Sequence, residues 1–230
     1  MLSAGRAEAK VRAWPGRPTT AQLVLFDHTV APPAGVLREW LAHLADLGFD
    51  EIRTGALAAS TARRFELAGF VPIQRLTLLQ ADLARVELGR VGTRRRDLRG
   101  GDVVIAAAID QAAFGEEWGL DPAGIEDAET ATPTHRTRLA LDRHGEPSGY
   151  TITGRSRRRG FIQRLAVLPD HQREGLGRAL VVDALRWLRR WHVETVMVNT
   201  HRDNLAALAL YAALGFEPVD SELVVLARAG

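Results

Sequence analysis

Between Phe161 and Leu226 the apolar residues switch repeatedly between two spacings, and this alternation restricts the fold of the 230-residue chain more than any other feature. Phe161 to Val167 reads as a strand that ends at the turn dipeptide Pro169-Asp170. From Glu174 to Arg190 the spacing is helical. Leu176, Leu180, Val181, Ala184, Leu185 and Leu188 share one face, and Arg178, Asp183, Arg186 and Arg190 are left for solvent. Thr195 to Val198 is a short strand. Asp203-Asn204 then offers a cap for a helix with the apolar stripe Leu205, Leu208, Ala209 and Ala212, stopped by Gly215. Leu223 to Leu226 gives a last strand. Strand, helix, strand, helix, strand predicts an α/β fold.

Upstream, Arg138 to Leu141 and Gly149 to Thr153 read as two strands joined by a turn at His144 to Pro147. Val103 to Phe114 reads as a helix, followed by a less regular stretch with a second short helix after Pro122. Gly89 to Gly92 is the natural boundary, which predicts domains at 1–88 and 89–230. The first domain echoes the second. Phe65-Glu66-Leu67-Ala68-Gly69-Phe70-Val71-Pro72 resembles Tyr211-Ala212-Ala213-Leu214-Gly215-Phe216-Glu217-Pro218. Before it lie a strand at Leu23 to Phe26, a helix marked by Leu37, Leu41, Leu44 and Ala45, and a strand at Glu51 to Thr54. The N-terminal segment therefore reads as a partial copy of the same plan. Convergence on a helix ended by glycine before a strand is the competing explanation.

Composition removes several function classes. The chain has no cysteine, so disulfide scaffolds, thiolate nucleophiles and Cys-ligated zinc are excluded. No His-Glu-x-x-His spacing occurs among the seven histidines, and no metal is expected. No apolar run approaches bilayer length, and the N-terminus, Met1 to Arg6, lacks a signal-peptide core, so a cytoplasmic protein without a membrane partner is expected. The formal net charge is only +2. The pI of 9.6 reflects arginine, because Lys10 is the only lysine. The clusters Arg94-Arg95-Arg96 with Arg99, and Arg155 with Arg157-Arg158-Arg159, read as solvated loops or strand ends in preference to a nucleic-acid surface.

The chemistry concentrates in Gln172-Arg173-Glu174-Gly175-Leu176-Gly177-Arg178, between a strand and an amphipathic helix. Glycines let the backbone approach a ligand closely, and a helix N-terminus offers unpaired N–H groups to an anion. A Walker loop is excluded because no Gly-Lys-Ser/Thr is present, and a dinucleotide fingerprint because Leu180 takes the third glycine's place. Physics alone gives a phosphate or pyrophosphate site, with a ligand-free glycine helix start as the bland reading. Asn204 and Tyr211 are seven residues apart on one predicted helix, nearly two turns, so their side chains are expected on one face. A phenol stays protonated at neutral pH and can protonate a departing thiolate. The bland reading makes Tyr211 a helix-edge residue and Asn204 a cap.

The run from Phe161 to Phe216 resembles the GCN5-related N-acetyltransferases (GNAT). The resemblance rests on the strand Leu165-Ala166-Val167, the Gln/Arg-x-x-Gly-x-Gly loop met by Gln172 to Gly177, and Asn204 with Ala207-Leu208-Ala209-Leu210-Tyr211 before Leu214-Gly215-Phe216. It implies a mixed, mostly antiparallel sheet with helices on both faces, and acetyl-coenzyme A as co-substrate. By the same resemblance, backbone groups of Leu165 and Val167 hold the pantetheine arm, with Ala166, Ala179, Asn199, Ala207 and Leu210 also at the coenzyme. Backbone N–H groups from Arg173 to Arg178 cradle the pyrophosphate, Asn204 bonds the pantetheine arm, and Tyr211 is the general acid. The acetyl group passes directly to a primary amine of a small molecule or peptide.

Two departures stand out. Relatives that acetylate protein N-terminal amines carry a glutamate before the Asn, and here the position is Asn199. Glu116, Glu117, Glu126 and His201 are the remaining base candidates, and solvent can serve instead. In the N-terminal copy Phe65 stands in place of Tyr211, and Val30-Ala31-Pro32-Pro33-Ala34-Gly35 lacks Gly-x-Gly. That copy is expected to be degenerate, making the protein a monomer with an internal pseudo-dimer, or a homodimer. The alternative function is a non-catalytic acyl-coenzyme A sensor or assembly module that keeps the fold.

Overall fold

A computed structural model of the chain describes residues 1–4, 7–90 and 92–229. Val91 of the boundary stretch, and Gly5 and Arg6 of the N-terminal segment, lie outside the described residues. The first elements are β1 (Leu2–Ala4), β2 (Ala7–Trp14), β3 (Arg17–Leu25), α1 (Ala34–Asp46), β4 (Glu51–Thr54), β5 (Leu57–Ala58), α2 (Ala59–Glu66) and β6 (Val71–Asp82). Next come β7 (Arg95–Asp97), α3 (Val103–Trp118), α4 (Pro122–Thr130), β8 (Thr134–Leu141), β9 (Pro147–Ser156) and β10 (Arg159–Val167). The chain closes with α5 (Leu176–Arg190), β11 (Thr195–His201), α6 (Leu205–Ala212) and β12 (Glu217–Ala229). The fold is mixed α/β. Its residues form two compact units: Met1–Leu78 with Asn199–Asn204 and the chain from Val219 onward, and Leu79–Val198 with Leu205–Pro218.

In the first unit, β3 runs parallel to β4, with Thr20 opposite Glu51, and β4 runs antiparallel to β12, with Arg53 opposite Ala227. Leu37, Trp40, Leu41 and Leu44 of α1 pack with Ile52, Phe65, Phe70 and Leu226 into one core. The strand expected at Leu23 to Phe26 begins earlier, at Arg17, and ends before Phe26, which is exposed. The β2–β3 hairpin escaped the sequence reading. Its inward residues at the start of β2 are Ala7 and Ala9, whose short side chains give almost no alternating hydrophobic signal.

In the second unit the strand order is β7-β8-β9-β10-β11, antiparallel except for the β10–β11 pair. Successive strand residues face opposite layers. Leu139, Tyr150, Ile152 and Ala166 pack with Ala106, Ile109 and Ile125 of α3 and α4, while Ala140 packs with Leu176 and Leu180 of α5. α3 runs past Phe114 to Trp118 through a kink at Gly115 (φ 75°), and α4 starts at Pro122 with Asp121 accepting from the Gly124 N–H at 2.8 Å.

Two expectations fail here. Asp183 is not on a wet face: its side chain is 14% exposed, with Arg95, Arg136 and Arg138 within 3.2–3.5 Å. A buried carboxylate needs such partners, and they come from β7 and β8, too far along the chain for helix spacing to reveal. On α6, Leu205 is 75% exposed and the buried residue is Tyr211, not the stripe Leu205, Leu208, Ala209 and Ala212. This helix is apolar on all sides, so periodicity cannot select a face. In the arginine clusters Arg94, Arg99, Arg157, Arg158 and Arg159 are exposed, as expected of loops and strand ends, and some members also make contacts within the fold. Arg96 pairs with Asp102, Arg155 lies 4.1 Å over the Trp191 ring, and Arg158 meets Glu194 at 2.6 Å.

Candidate coenzyme cleft

β10 leaves its parallel neighbour partway along. The ladder with β11 covers Arg159 to Ile162, opposite Thr195 to Val198, while the ladder with β9 continues to Val167 opposite Gly149. Gln163 is the extra residue of a bulge, the register stepping from Ile162 to Arg164. Beyond it the alternation of ladder groups can be read from Leu168, whose N–H donates to the Ser148 carbonyl at 2.9 Å. Ala166 therefore faces β9 with its backbone, and Leu165 and Val167 turn theirs to the side where β11 pairing has ended. A ligand arm with amides of its own can bond that edge as a strand would.

At the end of this edge the chain turns through Pro169 to His171, and the Gln172 side chain donates back to the Val167 carbonyl at 3.3 Å. Arg173 (φ 63°) and Gly175 (φ 84°) both take left-handed conformations, which swing the chain into α5 with Gly175 at the N-cap. No side chain caps the helix among the described residues. The N–H of Ala179 already bonds the Gly175 carbonyl, so the free first-turn donors are those of Leu176, Gly177 and Arg178. A Cβ on Gly177 would stand 3.5 Å from Leu210 Cδ2 and 3.8 Å from Val167 Cγ2. The bare Gly177 thus keeps the corner between β10, α5 and α6 open.

Tyr211 is 3% exposed, in a cluster with Val181, Leu185, Val198 and Leu214, against which Leu165, Ala207 and Leu210 also pack. Its ring lies 5.5 Å from that of Phe216. Burial raises the Tyr211 phenol above its usual value, so it is protonated throughout the neutral range. Its carbonyl accepts from the N–H groups of Leu214 and Phe216, around Gly215 at φ 79°. The first unit repeats this closure: the Phe65 carbonyl accepts from Ala68 and Phe70 around Gly69 at φ 89°, with the Phe65 and Phe70 rings 5.2 Å apart.

The structure thus gathers Leu165, Val167, Leu176, Gly177, Ala207, Leu210 and Tyr211 at one corner. Ala166 points its side chain to the α3 layer, and Ala179 is buried. Asn204 immediately precedes α6 and is exposed, so it does not share the buried environment of Tyr211; Asn199 is exposed too. Glu116, Glu117 and Glu126 are all exposed.

One group was missed by sequence reasoning. Asp110 on α3 is 0% exposed and holds Arg164, the residue after the bulge, through Nη2–Oδ1 at 2.6 Å and Nε–Oδ2 at 2.8 Å. It also accepts from the Tyr150 hydroxyl and from the Leu120 N–H, while Arg164 donates to the Trp118 carbonyl at 2.8 Å and lies 3.8 Å over the Phe114 ring. This knot ties the kinked end of α3 to the open edge of β10. A charged Asp110 within the apolar helix Val103 to Phe114 was the available signal.

The family model described as "Acetyltransferase (GNAT) family" matches residues 105–216. Ribosomal protein bS18-alanine N-acetyltransferase of Escherichia coli (strain K12) is 37% identical over 115 residues, spanning 50% of this chain and 74% of that protein. The chain belongs to the GNAT acetyltransferase family. Among other relatives in it, the mycothiol acetyltransferase of Pseudarthrobacter chlorophenolicus is 27% identical over 211 residues, or 77% of this chain. The match spans 60% of that relative's length. A solved tandem GNAT protein from the clavulanic acid biosynthesis pathway has a similar fold, with TM-score 0.65 at 18% identity over 99% of this chain and 85% of its own. No helix among the described residues is long and apolar enough to cross a membrane.

Proposed function

We propose that this GNAT protein transfers the acetyl group of acetyl-coenzyme A directly to a primary amine of a small molecule or peptide. The observation that carries the reading is the open edge of β10, where Leu165 and Val167 present backbone groups beyond the end of the β11 ladder. The residues present suit the coenzyme. That edge matches the amides of a pantetheine arm, and the uncapped α5 N-terminus matches a pyrophosphate. Bare Gly177 leaves room between Val167 and Leu210.

In this reading the amine nitrogen attacks the thioester carbonyl, the C–S bond breaks, and the leaving sulfur takes a proton from the Tyr211 hydroxyl. The Tyr211 hydroxyl is protonated at neutral pH and so has a proton to give. Asn199 cannot take the proton lost by the amine, which in this reading goes to solvent. The relatives named for mycothiol and for a ribosomal protein alanine support an acceptor that is either a small molecule or a polypeptide. Residues 1–88 are proposed as a degenerate copy and 89–230 as the catalytic domain. The repeated helix closure at Phe65 and Tyr211, and the parallel pairs β3–β4 and β10–β11, support a repeated plan, while the compact units divide the chain after Leu78 and give the first unit the chain from Val219 onward. Tyr211→Phe tests the mechanism: turnover should fall about 10²–10⁴-fold with coenzyme affinity nearly unchanged. Wild-type turnover in this variant would remove Tyr211 from the proton-donor role.

A further inference from the structure

Arg164 is the first residue of β10 beyond the bulge, and its side chain leaves the sheet on the face opposite to Tyr211. Leu165 packs against the Tyr211 cluster, whereas Arg164 and Ala166 turn to the α3 layer, where Arg164 reaches Asp110 and Phe114. The strand edge left open by β11 therefore has Tyr211 and α5 on one face and the Arg164 guanidinium on the other.

That guanidinium is fixed in one orientation. Asp110 takes Nε and Nη2 along one edge of the planar fork, Nη2 also donates to the Trp118 carbonyl, and the Phe114 ring stacks below at 3.8 Å. Asp110 is itself held by the Tyr150 hydroxyl and the Leu120 N–H. Nη1, on the edge away from Asp110, is different. It makes no hydrogen bond among the described residues and remains open to solvent, the side chain as a whole being 22% exposed. Stability does not explain the arrangement, because apolar residues of the same volume often serve a fold as well as a buried ion pair does. What the pair supplies is a cation held in place with one nitrogen left over. A guanidinium donates and never accepts, and it stays charged near neutrality, so an acceptor atom such as oxygen is its complement.

We propose that Nη1 of Arg164 donates to a carbonyl or carboxylate oxygen of the acceptor, so that the protein selects amines carrying such an oxygen on the neighbouring carbon, as a peptide N-terminus or an amino acid does. The proposal rests on the acetyl-transfer reading above. In that reading the coenzyme arm fills the open edge from the α5 face, and the amine reaches the thioester from the face that carries Arg164. Asp110, wholly buried and engaged by three partners, is a positioning residue for that guanidinium. An amine without the oxygen leaves Nη1 unpaired when it displaces water there, which selects against it.

The test offers the full chain glycinamide, glycine and isobutylamine, the last having the shape of glycinamide without its oxygen. Initial rates of acetylation give kcat/KM for each amine, and comparing the ratio of two amines between wild type and variant cancels their difference in basicity. Arg164→Gln should lower the ratio of glycinamide or glycine to isobutylamine about tenfold or more. The two oxygen-bearing amines tell a carbonyl from a carboxylate. The double variant Asp110→Asn with Arg164→Gln should lower the ratio as far; it replaces the ion pair by two amides that can bond each other, and keeps the test valid if the single variant folds poorly. A purely structural Arg164 would depress all three amines together. Ratios unchanged for both glycinamide and glycine in a folded variant would therefore overturn the proposal and leave acetyl transfer standing. No acetylation of any amine by the wild type would instead remove the acetyl-transfer reading, and the proposal with it.

Discussion

Placing a carboxylate at Gly177 examines the coenzyme corner most sharply. The position is the second residue of α5, with ordinary helical backbone, so substitution there does not strain the chain. A Cβ meets Leu210 and Val167 at 3.5 and 3.8 Å, ordinary contact distances, so Gly177→Ala should unfold at or slightly above the wild-type temperature. Gly177→Glu should fold as well, because an acidic residue in the first turn interacts favourably with the helix dipole by about 0.3–1 kcal/mol. Its side chain, however, enters the space between Val167 and Leu210 and brings negative charge to the three free amides. At about 5 Å, with an effective dielectric of about 20–80, one carboxylate repels one phosphate charge by on the order of 1–3 kcal/mol. Coenzyme affinity should therefore fall roughly ten- to hundredfold in Gly177→Glu, and less in Gly177→Gln, which keeps the bulk without the charge. Calorimetry with coenzyme A and the three variants, alongside circular dichroism melts, separates these effects. A folded Gly177→Glu protein that binds coenzyme A as tightly as wild type would refute the assignment of the α5 N-terminus.

Two further outcomes follow from buried groups. Asp110→Ala removes the acceptor shared by Arg164, Tyr150 and Leu120, leaving a half-buried guanidinium unpaired; it should cost about 3–5 kcal/mol and lower the unfolding temperature by roughly 10 °C. Because burial raises the Tyr211 pKa, the fold favours its protonated form, and that contribution to stability is present below the unfolded value of about 10 and lost as pH rises through the folded value. The pH profile of turnover should accordingly show no loss from tyrosine ionisation between neutrality and about pH 10, and a falling limb centred well below that would contradict the buried placement.

The elements that build the candidate coenzyme corner were legible because their signals are local. A strand, a turn with two glycines and an amphipathic helix follow one another between Phe161 and Arg190, and each needs only its own residues to be recognised. The Phe65 and Tyr211 closures were visible for the same reason, since Gly69 and Gly215 each mark a helix end that requires positive φ. What stayed hidden depends on long-range pairing. Asp110 meets Arg164 across fifty-four positions, and Asp183 meets arginines of β7 and β8. The end of the β11 ladder at Ile162 is a matter of register, which no window of sequence contains.

Acetyl transfer to an amine is tested most directly by following free thiol while acetyl-coenzyme A is mixed with the protein and a panel of acceptors: peptide N-termini, lysine side chains, polyamines and aminoglycosides. At least one class should release thiol in step with the appearance of acetylated amine. Tight coenzyme binding with no amine-dependent thiol release from any of them would contradict it, and would leave an acyl-coenzyme A-binding module in its place.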